Sequence, residues 1–584
     1  MSEKMFGIDL GTTNSAISVH LTKNSSEIIS LKEDDGKTYN TMPSCVLWLG
    51  GDNWVIGREA YKQRYAPNAA YSIKSKIGKD YVHTFRYKGE SIQKTPVEIS
   101  AMILKAICEK AAYLYPEIKK VTITVPAEFG DKERKETRDA GIMAGLEVID
   151  IINEPTSAAL RYDVEDTKEM LIYDLGGGTF DLTHLRVTAP KDQRTDNLNF
   201  AELGISLTQE VEEKNFNPQY DVIASGGNRS LGGDDLDKEV LDIAIANNLA
   251  KFPEGSDEHK ALKNLTYEQY EQLKLKVSIA KLSLCKGQAG AVQLKMKEIT
   301  GVDFQMIVSS DDFKLGTEKI FKRTKTCINK LIAKNPNNII SEIVLIGGST
   351  KNEFLREMIK DTFPEYVLKA NMNPDESVAL GASIKTAIAL GVADIAVKDV
   401  APYSFGIGVI EKTDDGMLID GKVEHLIKRD TPLPAISINT YDLSSDEDDV
   451  ELKFYTGESR FVENCNLVGT YEIPKTCKNE SVTITATINA QGLLTIIAKS
   501  GEDEITVELN NIKTETPANK KPNKLRSNLV SRLRRQFLAN GIYITDEIEK
   551  DFSAFLETGD SGAKERLIKA LETNNQKTNK FGDA

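Results

Sequence analysis

FGIDLGTTNSAISV, residues 6–19, runs from an apolar stretch into an Asp, a Gly and two Thr, then resumes with alternating apolar positions. Such a pattern predicts a strand, a tight turn and a returning strand. It recurs as LIYDLGGGTFDLTHLRV, residues 171–187, again an apolar strand, Asp-Leu-Gly and a Gly/Thr turn. One architecture therefore occurs twice. Between the copies, VTITVPAEF (121–129) reads as a buried strand and DKERKETRDAGIMAGL (131–146) as a helix opened by an Asp cap. Strands alternating with helices predict an α/β fold. Residues 188–219 are polar and weakly periodic and read as an insertion, after which LGGDDLDKEVLDIAIANNL (231–249) restarts a helix. A third glycine turn follows the strand EIVLI (342–346) as GGSTKNEFLREMI (347–359), with Ser349 and Thr350 leading into a helix.

The helical pattern stops near DIAVKDVAPYS (394–404); from there to about residue 510 come alternating strands such as VTITATI (482–488) and LLTIIAKS (493–500). An all-β domain is expected there. TETPANKKPNK (514–524) is a Pro/Lys-rich linker, and the tail reads as three short amphipathic helices, the first marked by Leu525, Leu529, Leu533 and Phe537 and stopped by Gly541. At 584 residues the chain exceeds one core. Its 40% apolar and 28% charged residues are ordinary for a soluble protein, and no stretch has the uninterrupted apolar length of a membrane span. A formal net charge of −14 opposes broad nucleic-acid affinity, which rests on a positive field. Six cysteines (Cys45, Cys108, Cys285, Cys327, Cys465, Cys477) are scattered without metal-ligand spacing and read as reduced thiols. The first strand starts near Met5, leaving no room for a leader, and a cytoplasmic location is expected.

A nucleotide polyphosphate needs backbone N–H groups at close range, which only a turn without Cβ atoms offers. Gly11, Gly176, Gly177 and Gly178 meet that need, and Thr12, Thr13 and Thr179 add hydroxyl donors. Asp9, Asp174 and Asp181 would repel bare phosphate and so imply a cation between them; magnesium, which keeps its water, suits such carboxylates. Either turn alone reads equally well as a plain hairpin turn. Two matching Asp-Leu-Gly copies and a GGST turn make coincidence a poor account, and no Walker-type loop is present.

DLGTT (9–13), NEPTSAAL (153–160), DLGGGTFD (174–181), GGST (347–350) and NPDESVALGA (373–382), in this order, resemble the seventy-kilodalton heat-shock chaperones. The similarity covers residues 5–390 well and 399 to about 510 more loosely, and fades in the tail. It implies a multidomain chain: an α/β actin-like ATPase domain with duplicated ribonuclease-H-like halves (1–392), an interdomain linker (393–400), a β-sandwich substrate-binding domain (401–512), and a linker with a short helical lid-like tail (513–584). ATP hydrolysis to ADP and phosphate, magnesium, and K+ as a further ion come with the resemblance. So do two phosphate loops and an adenosine loop as the roles of the three turns.

Residue by residue, Lys74 in SIKSKIG matches the lysine that positions the attacking water and the γ-phosphate; without that match it reads as a solvated surface Lys. Glu154 in INEPT matches the acid near the nucleophilic water and the magnesium shell. Asp174 and Asp181 match metal-shell and water-orienting carboxylates, with Asp9 their first-turn counterpart; Asp9 and Asp174 would hold the metal through water. Gly347, Gly348, Ser349 and Asp375 fall in the matched nucleotide-binding motifs. Pro126 and Arg134 in VPAEFGDKER match a proline and an arginine that relay nucleotide state to the second domain. The base pocket departs from the pattern: in SIAKLSLC, Ser278 stands for an acid, Lys281 is kept and Cys285 replaces a serine, while Lys351 stands where an adenine-stacking Arg is expected. Lysine lacks the planar guanidinium, so weaker ATP affinity is expected.

PYSFGIGVI (402–410) resembles the first strand of the peptide-binding sandwich and places Ile407, Val409 and Ile410 on the path of an extended peptide, with Leu443, Val450 and Leu452 as weaker candidates. All of these equally suit a sandwich core. The acidic loop DLSSDEDDVE (442–451) reads either as a solvated tip or as an attractor of basic peptide flanks, and the basic run 520–535 as a solvated linker and helix face, with a nucleic-acid arm as the minor alternative. In VIDIINEP, Asp150 occupies the position of an Arg that pairs with the J-domain's own Asp, and Ile395, Ala396, Val397 and Lys398 replace a leucine run in the linker. Poor stimulation by a generic J-domain and weak linker docking are the expectation. The resemblance thus implies an ATP-dependent chaperone for unfolded or extended peptides, served by a dedicated J-domain co-chaperone and a nucleotide-exchange factor. A nucleotide-gated scaffold for one partner and an actin-fold small-molecule kinase share the phosphate turns, although a kinase has no use for the β domain.

Overall fold

The computed structural model describes residues 4–22, 25–33, 35–162, 166–189, 218–285, 289–334, 337, 339–370, 373, 376–412, 418–442, 451–472, 481–500, 503–507 and 566–567. The expected tail helices, the Pro/Lys-rich stretch and nearly all of the insertion lie outside these residues. The chain divides into two compact units, one of Met1–Pro402 with Asp430–Pro434 and Ile488–Leu493, the other of Tyr403–Arg429, Ala435–Thr487 and Leu494–Ala584.

The first unit repeats one sheet. In the first copy Met5–Asp9 pairs antiparallel with Asn14–Thr22 and, on its other edge, parallel with Lys120–Val125, which pairs parallel with Glu147–Asn153. In the second copy Lys168–Leu175 pairs antiparallel with Phe180–Thr188 and parallel with Ile340–Ile346, which continues to Val367–Lys369. The central strands are buried on both faces, which is why Phe6, Ile8, Leu171, Ile172 and Tyr173 form continuous apolar runs. Each fully buried aliphatic chain contributes about 1.5–3 kcal/mol, so the two cores hold the hairpins rigidly and fix their turns.

Helices cover these sheets with stripes at helical spacing. Pro96–Ala111 opens with a Thr95/Glu98 capping box and buries Ile99, Ile103 and Ile107. Ser377–Ala389 lies so close to the first strand that a Cβ on Gly7 would stand 2.1 Å from the Ser383 nitrogen, and the Thr386 hydroxyl donates to the Phe6 carbonyl at 2.7 Å. The helix expected to open on an Asp cap spans Asp131–Met143, with Gly130 preceding it. Asp131 is therefore a first-turn acid, and Glu133 accepts from the Gly130 N–H at 3.1 Å.

The stretch read as a weakly docking linker forms a short strand, Ala396–Lys398, which adds parallel to Gln219–Asp221 at the edge of the second sheet. Ile395 and Val397 pack half-buried against the core. Main-chain pairing carries this docking, and a leucine count does not register it.

Among the described residues the second unit holds two four-stranded sheets. One orders Leu418–Ile427, Phe405–Lys412, Glu451–Thr456 and Asn466–Glu472; the other Ala435–Asp442, Ser481–Ile488, Leu494–Ser500 and Asp503–Val507. Strict alternation in Ser481–Ile488 buries Val482, Ile484, Ala486 and Ile488, and Phe405 stacks on Phe454 with ring centres 6.0 Å apart.

Candidate functional site

The two Asp-Leu-Gly turns face each other. A Cβ on Gly177 would stand 2.1 Å from the Thr13 hydroxyl oxygen, and one on Gly178 3.2 Å from the Thr12 methyl. The first turn is held from outside: Ser44 donates its N–H to the Thr13 carbonyl at 2.8 Å and its hydroxyl to the Gly11 carbonyl at 2.7 Å. The second closes on itself through Gly176 N–H to the Thr179 carbonyl, 3.0 Å, and receives the start of the Gly233–Leu249 helix through Gly233 and Asp234 N–H groups. The third turn joins them. Gly347, at φ 81°, sits where a Cβ would meet the Leu175 carbonyl at 2.4 Å and the Asp174 carboxylate at 2.5 Å, and the Ser349 hydroxyl donates to the Gly176 carbonyl at 2.9 Å. Three turns remote in sequence thus meet at one place.

Four carboxylates gather beneath the turns. Asp174 and Asp181 lie directly opposite each other across the hairpin. Both are buried, and burial first, then Glu154 and other acids, pushes Asp181 up to about 8 and Asp174 well above the usual range. Asp9 accepts from the Thr124 hydroxyl at 2.7 Å and also raises Asp174. Glu154 opens the Glu154–Ala159 helix and forms an ion pair with Lys74, a buried side chain in the Ile73–Lys76 turn. Glu154, Asp174 and Asp181 around one ammonium, with Asp9 acting on Asp174, make an electrostatic sink for a cation. Asp181 Oδ1 accepts from the Glu128 N–H at 3.3 Å, whereas its Oδ2 is buried without a hydrogen-bond partner. Among the described residues no three His, Cys, Asp or Glu side chains converge to chelate a metal directly. The donor set fits a hydrated magnesium ion held through its water.

Beside the third turn the Tyr267–Leu284 helix presents Lys281 and ends at Cys285. Lys281 pairs with Asp237 at 2.8 Å, a Cβ on Gly233 would lie 3.4 Å from its ammonium and 2.7 Å from the Ser349 hydroxyl, and the Cys285 carbonyl accepts from the Glu353 N–H at 3.3 Å. The third turn and this helix are therefore joined. Gly348 lies in the 3₁₀ turn Gly348–Lys351, Lys351 is exposed, and Asp375 falls outside the described residues.

Pro126 ends its strand, and its carbonyl accepts from Phe129 N–H. Arg134, buried, donates to the Phe129 carbonyl at 3.0 Å and to Asn153, the residue before Glu154; Asn153 in turn donates to Asp399 at 2.8 Å. The chain from turn to Asp399 involves Asn153 and Asp399, which sequence reasoning passed over. Asp150 needs correction: its carboxylate is buried beside Lys385 at 3.4 Å and takes its own strand's Ile151 N–H, so it offers no free anion to oppose a partner's acid.

In the second unit Ile407 and Leu452 are buried, Val409 is half-buried and Ile410 is 58% exposed. Leu443, Val450 and the acidic loop lie outside the described residues. Two large apolar chains that sequence reading did not single out, Ile436 and Ile438, are 66% and 63% exposed on one face of Ala435–Asp442. Their i, i+2 spacing was the available signal.

A family model described as Hsp70 protein matches residues 5–191 and 209–558, leaving 192–208 unmatched inside the expected insertion. The chain is also 31% identical over 525 residues to the Chaperone protein DnaK of Mycoplasma mycoides subsp. mycoides, covering 87% of this chain and 80% of that protein. The chain belongs to the Hsp70 family. It is an ATP-dependent chaperone and hydrolyses ATP.

Proposed function

We propose that the first unit is an actin-like ATPase domain with two ribonuclease-H-like halves, and that it takes magnesium-ATP between the facing turns. The contact between Gly177 and Thr13 carries this reading, since it gathers backbone donors and hydroxyls from both halves where a polyphosphate would lie. Gly11, Thr12, Thr13, Gly176, Gly177, Gly178 and Thr179 bind phosphate oxygens. Asp9 and Asp174 hold the water of the magnesium ion, which when bound neutralises phosphate charge. Glu154 and Asp181 orient the attacking water. Water attacks the γ-phosphorus, the bond to the β–γ bridging oxygen breaks, and ADP and inorganic phosphate leave. Lys74, freed from Glu154 toward the phosphate, offsets charge on the transferring group. Lys281, Cys285 and the Gly347–Lys351 turn receive the nucleoside.

The second unit is the peptide-binding sandwich, with Val409 and Ile410 at the accessible edge of an extended peptide's path. Pro126, Arg134, Asn153 and Asp399 relay nucleotide state. J-domain co-chaperones and nucleotide-exchange factors are its partners in the cytoplasm. The test is peptide-array binding with ATP and with ADP. Many unrelated apolar peptides held more tightly with ADP support the reading; one peptide bound alike in both states overturns it in favour of a scaffold.

A further inference from the structure

The helix that carries Lys281 is tied to the other half of the ATPase unit by an arginine that no motif points to. Arg64 lies just beyond the short Arg58–Lys62 helix and is 6% exposed. Its guanidinium stacks on Tyr61, 3.9 Å from the ring centre, with the Tyr65 ring centre at 5.1 Å. One end group donates to the Tyr61 carbonyl at 3.1 Å and the other to the Ser278 hydroxyl at 3.0 Å, across 214 residues of chain. Ser278 is set to receive it, because its own hydroxyl hydrogen goes to the Leu275 carbonyl at 2.9 Å and leaves the oxygen lone pairs for Arg64. Ser278 and Lys281 are three apart on one helix and share a face. The contact therefore stands beside the proposed nucleoside site. A second bridge, the Ser72 hydroxyl to Asp234 at 3.1 Å, stands beside Lys74 and the phosphate turn.

We infer that Arg64 is a positioning residue for bound nucleotide: stacked on Tyr61 and hydrogen-bonded to Ser278, it holds the Tyr267–Leu284 helix against the first half and sets how long nucleotide stays. The role rests on the nucleotide site proposed above. The clasp acts on dwell time and leaves the chemical step alone, since Arg64 engages Tyr61, Tyr65 and Ser278 whereas Lys74, the group that serves hydrolysis, is paired with Glu154. Its partners are a hydroxyl, a carbonyl and ring faces, so salt, which screens ion pairs, has little hold on it.

Stopped-flow release of a fluorescent ADP from the full chain, at low and high salt, tests it. Arg64→Met releases ADP about tenfold faster, the size of one charge-assisted hydrogen bond, by a ratio unchanged by salt, with single-turnover hydrolysis at the wild-type rate. Ser278→Ala, which removes only an oxygen, releases equally fast; Ser278→Thr restores slow release, and the double variant Arg64→Met, Ser278→Ala is no faster than either single one. Release within twofold of wild type in Arg64→Met and Ser278→Ala, or a parallel fall in the hydrolysis rate of Arg64→Met, overturns the role alone. Failure of the wild type to bind ADP overturns the nucleotide site and the role with it.

Discussion

Gly177 and Thr13, 164 positions apart, approach so closely that a methyl group on the glycine would lie 2.1 Å from the threonine hydroxyl oxygen. Gly177→Ala must therefore push the two turns apart, at a cost of about 1–3 kcal/mol of overpacking. Magnesium-ATP affinity is expected to fall by more than tenfold while the rest of the fold stays intact. Calorimetric titration checks this, and unchanged affinity would show that the turns do not share a ligand.

Asp181 gives a pH-dependent signature. Burial, with Glu154 and Glu128 adding to it, lifts the group from 3.8 to about 8. In that window the native state binds more protons than the unfolded chain, so stability falls as pH rises from 3.8 toward 8. Asp181→Asn removes the penalty: the nucleotide-free variant should melt at least about 2 °C higher than wild type, with a gain that grows between pH 5 and 8. A gain that is absent or independent of pH would show that the carboxylate is not forced neutral.

Asp150 was expected from sequence to repel a J-domain's acid, and its burial beside Lys385 removes the exposed anion on which that expectation rested. Asp150→Arg puts two cations together in a buried seam and should cost about 3–5 kcal/mol in urea unfolding. It should bring no gain in J-domain stimulation of steady-state ATPase. A stable variant with restored stimulation would return Asp150 to the surface role.

What was legible followed from local constraint. Glycines at 11 and 176–178 announce a close approach of backbone, and strict alternation announces the Ser481–Ile488 strand, because both requirements act within a few residues. Asp150 was misread because the cation that neutralises it lies 235 positions away on another element. Lys74 was placed by its motif, yet its partner Glu154 at 80 positions could not be paired with it from spacing. Arg64 carried no signal, since a buried arginine satisfied by ring faces and a hydroxyl reads in sequence as one more surface charge.

The strand of Ile407 and Ile410 separates core from surface in the second unit. Ile407→Ser should destabilise that unit by about 2–5 kcal/mol, because it leaves a cavity and an unmatched hydroxyl. Ile410→Ser should leave stability within about 0.5 kcal/mol and weaken apolar peptides several-fold. Peptide anisotropy titration beside denaturation decides; undiminished peptide affinity in Ile410→Ser would remove that side chain from the peptide path.

The central claim is that Lys74 serves the transition state of ATP hydrolysis at the acid cluster. The most direct measurement is single-turnover hydrolysis of magnesium-ATP alongside equilibrium ATP binding, on wild type and Lys74→Ala. The account predicts binding within a few-fold of wild type and hydrolysis slower by at least about a hundredfold. Hydrolysis retained at the wild-type rate in Lys74→Ala would contradict it.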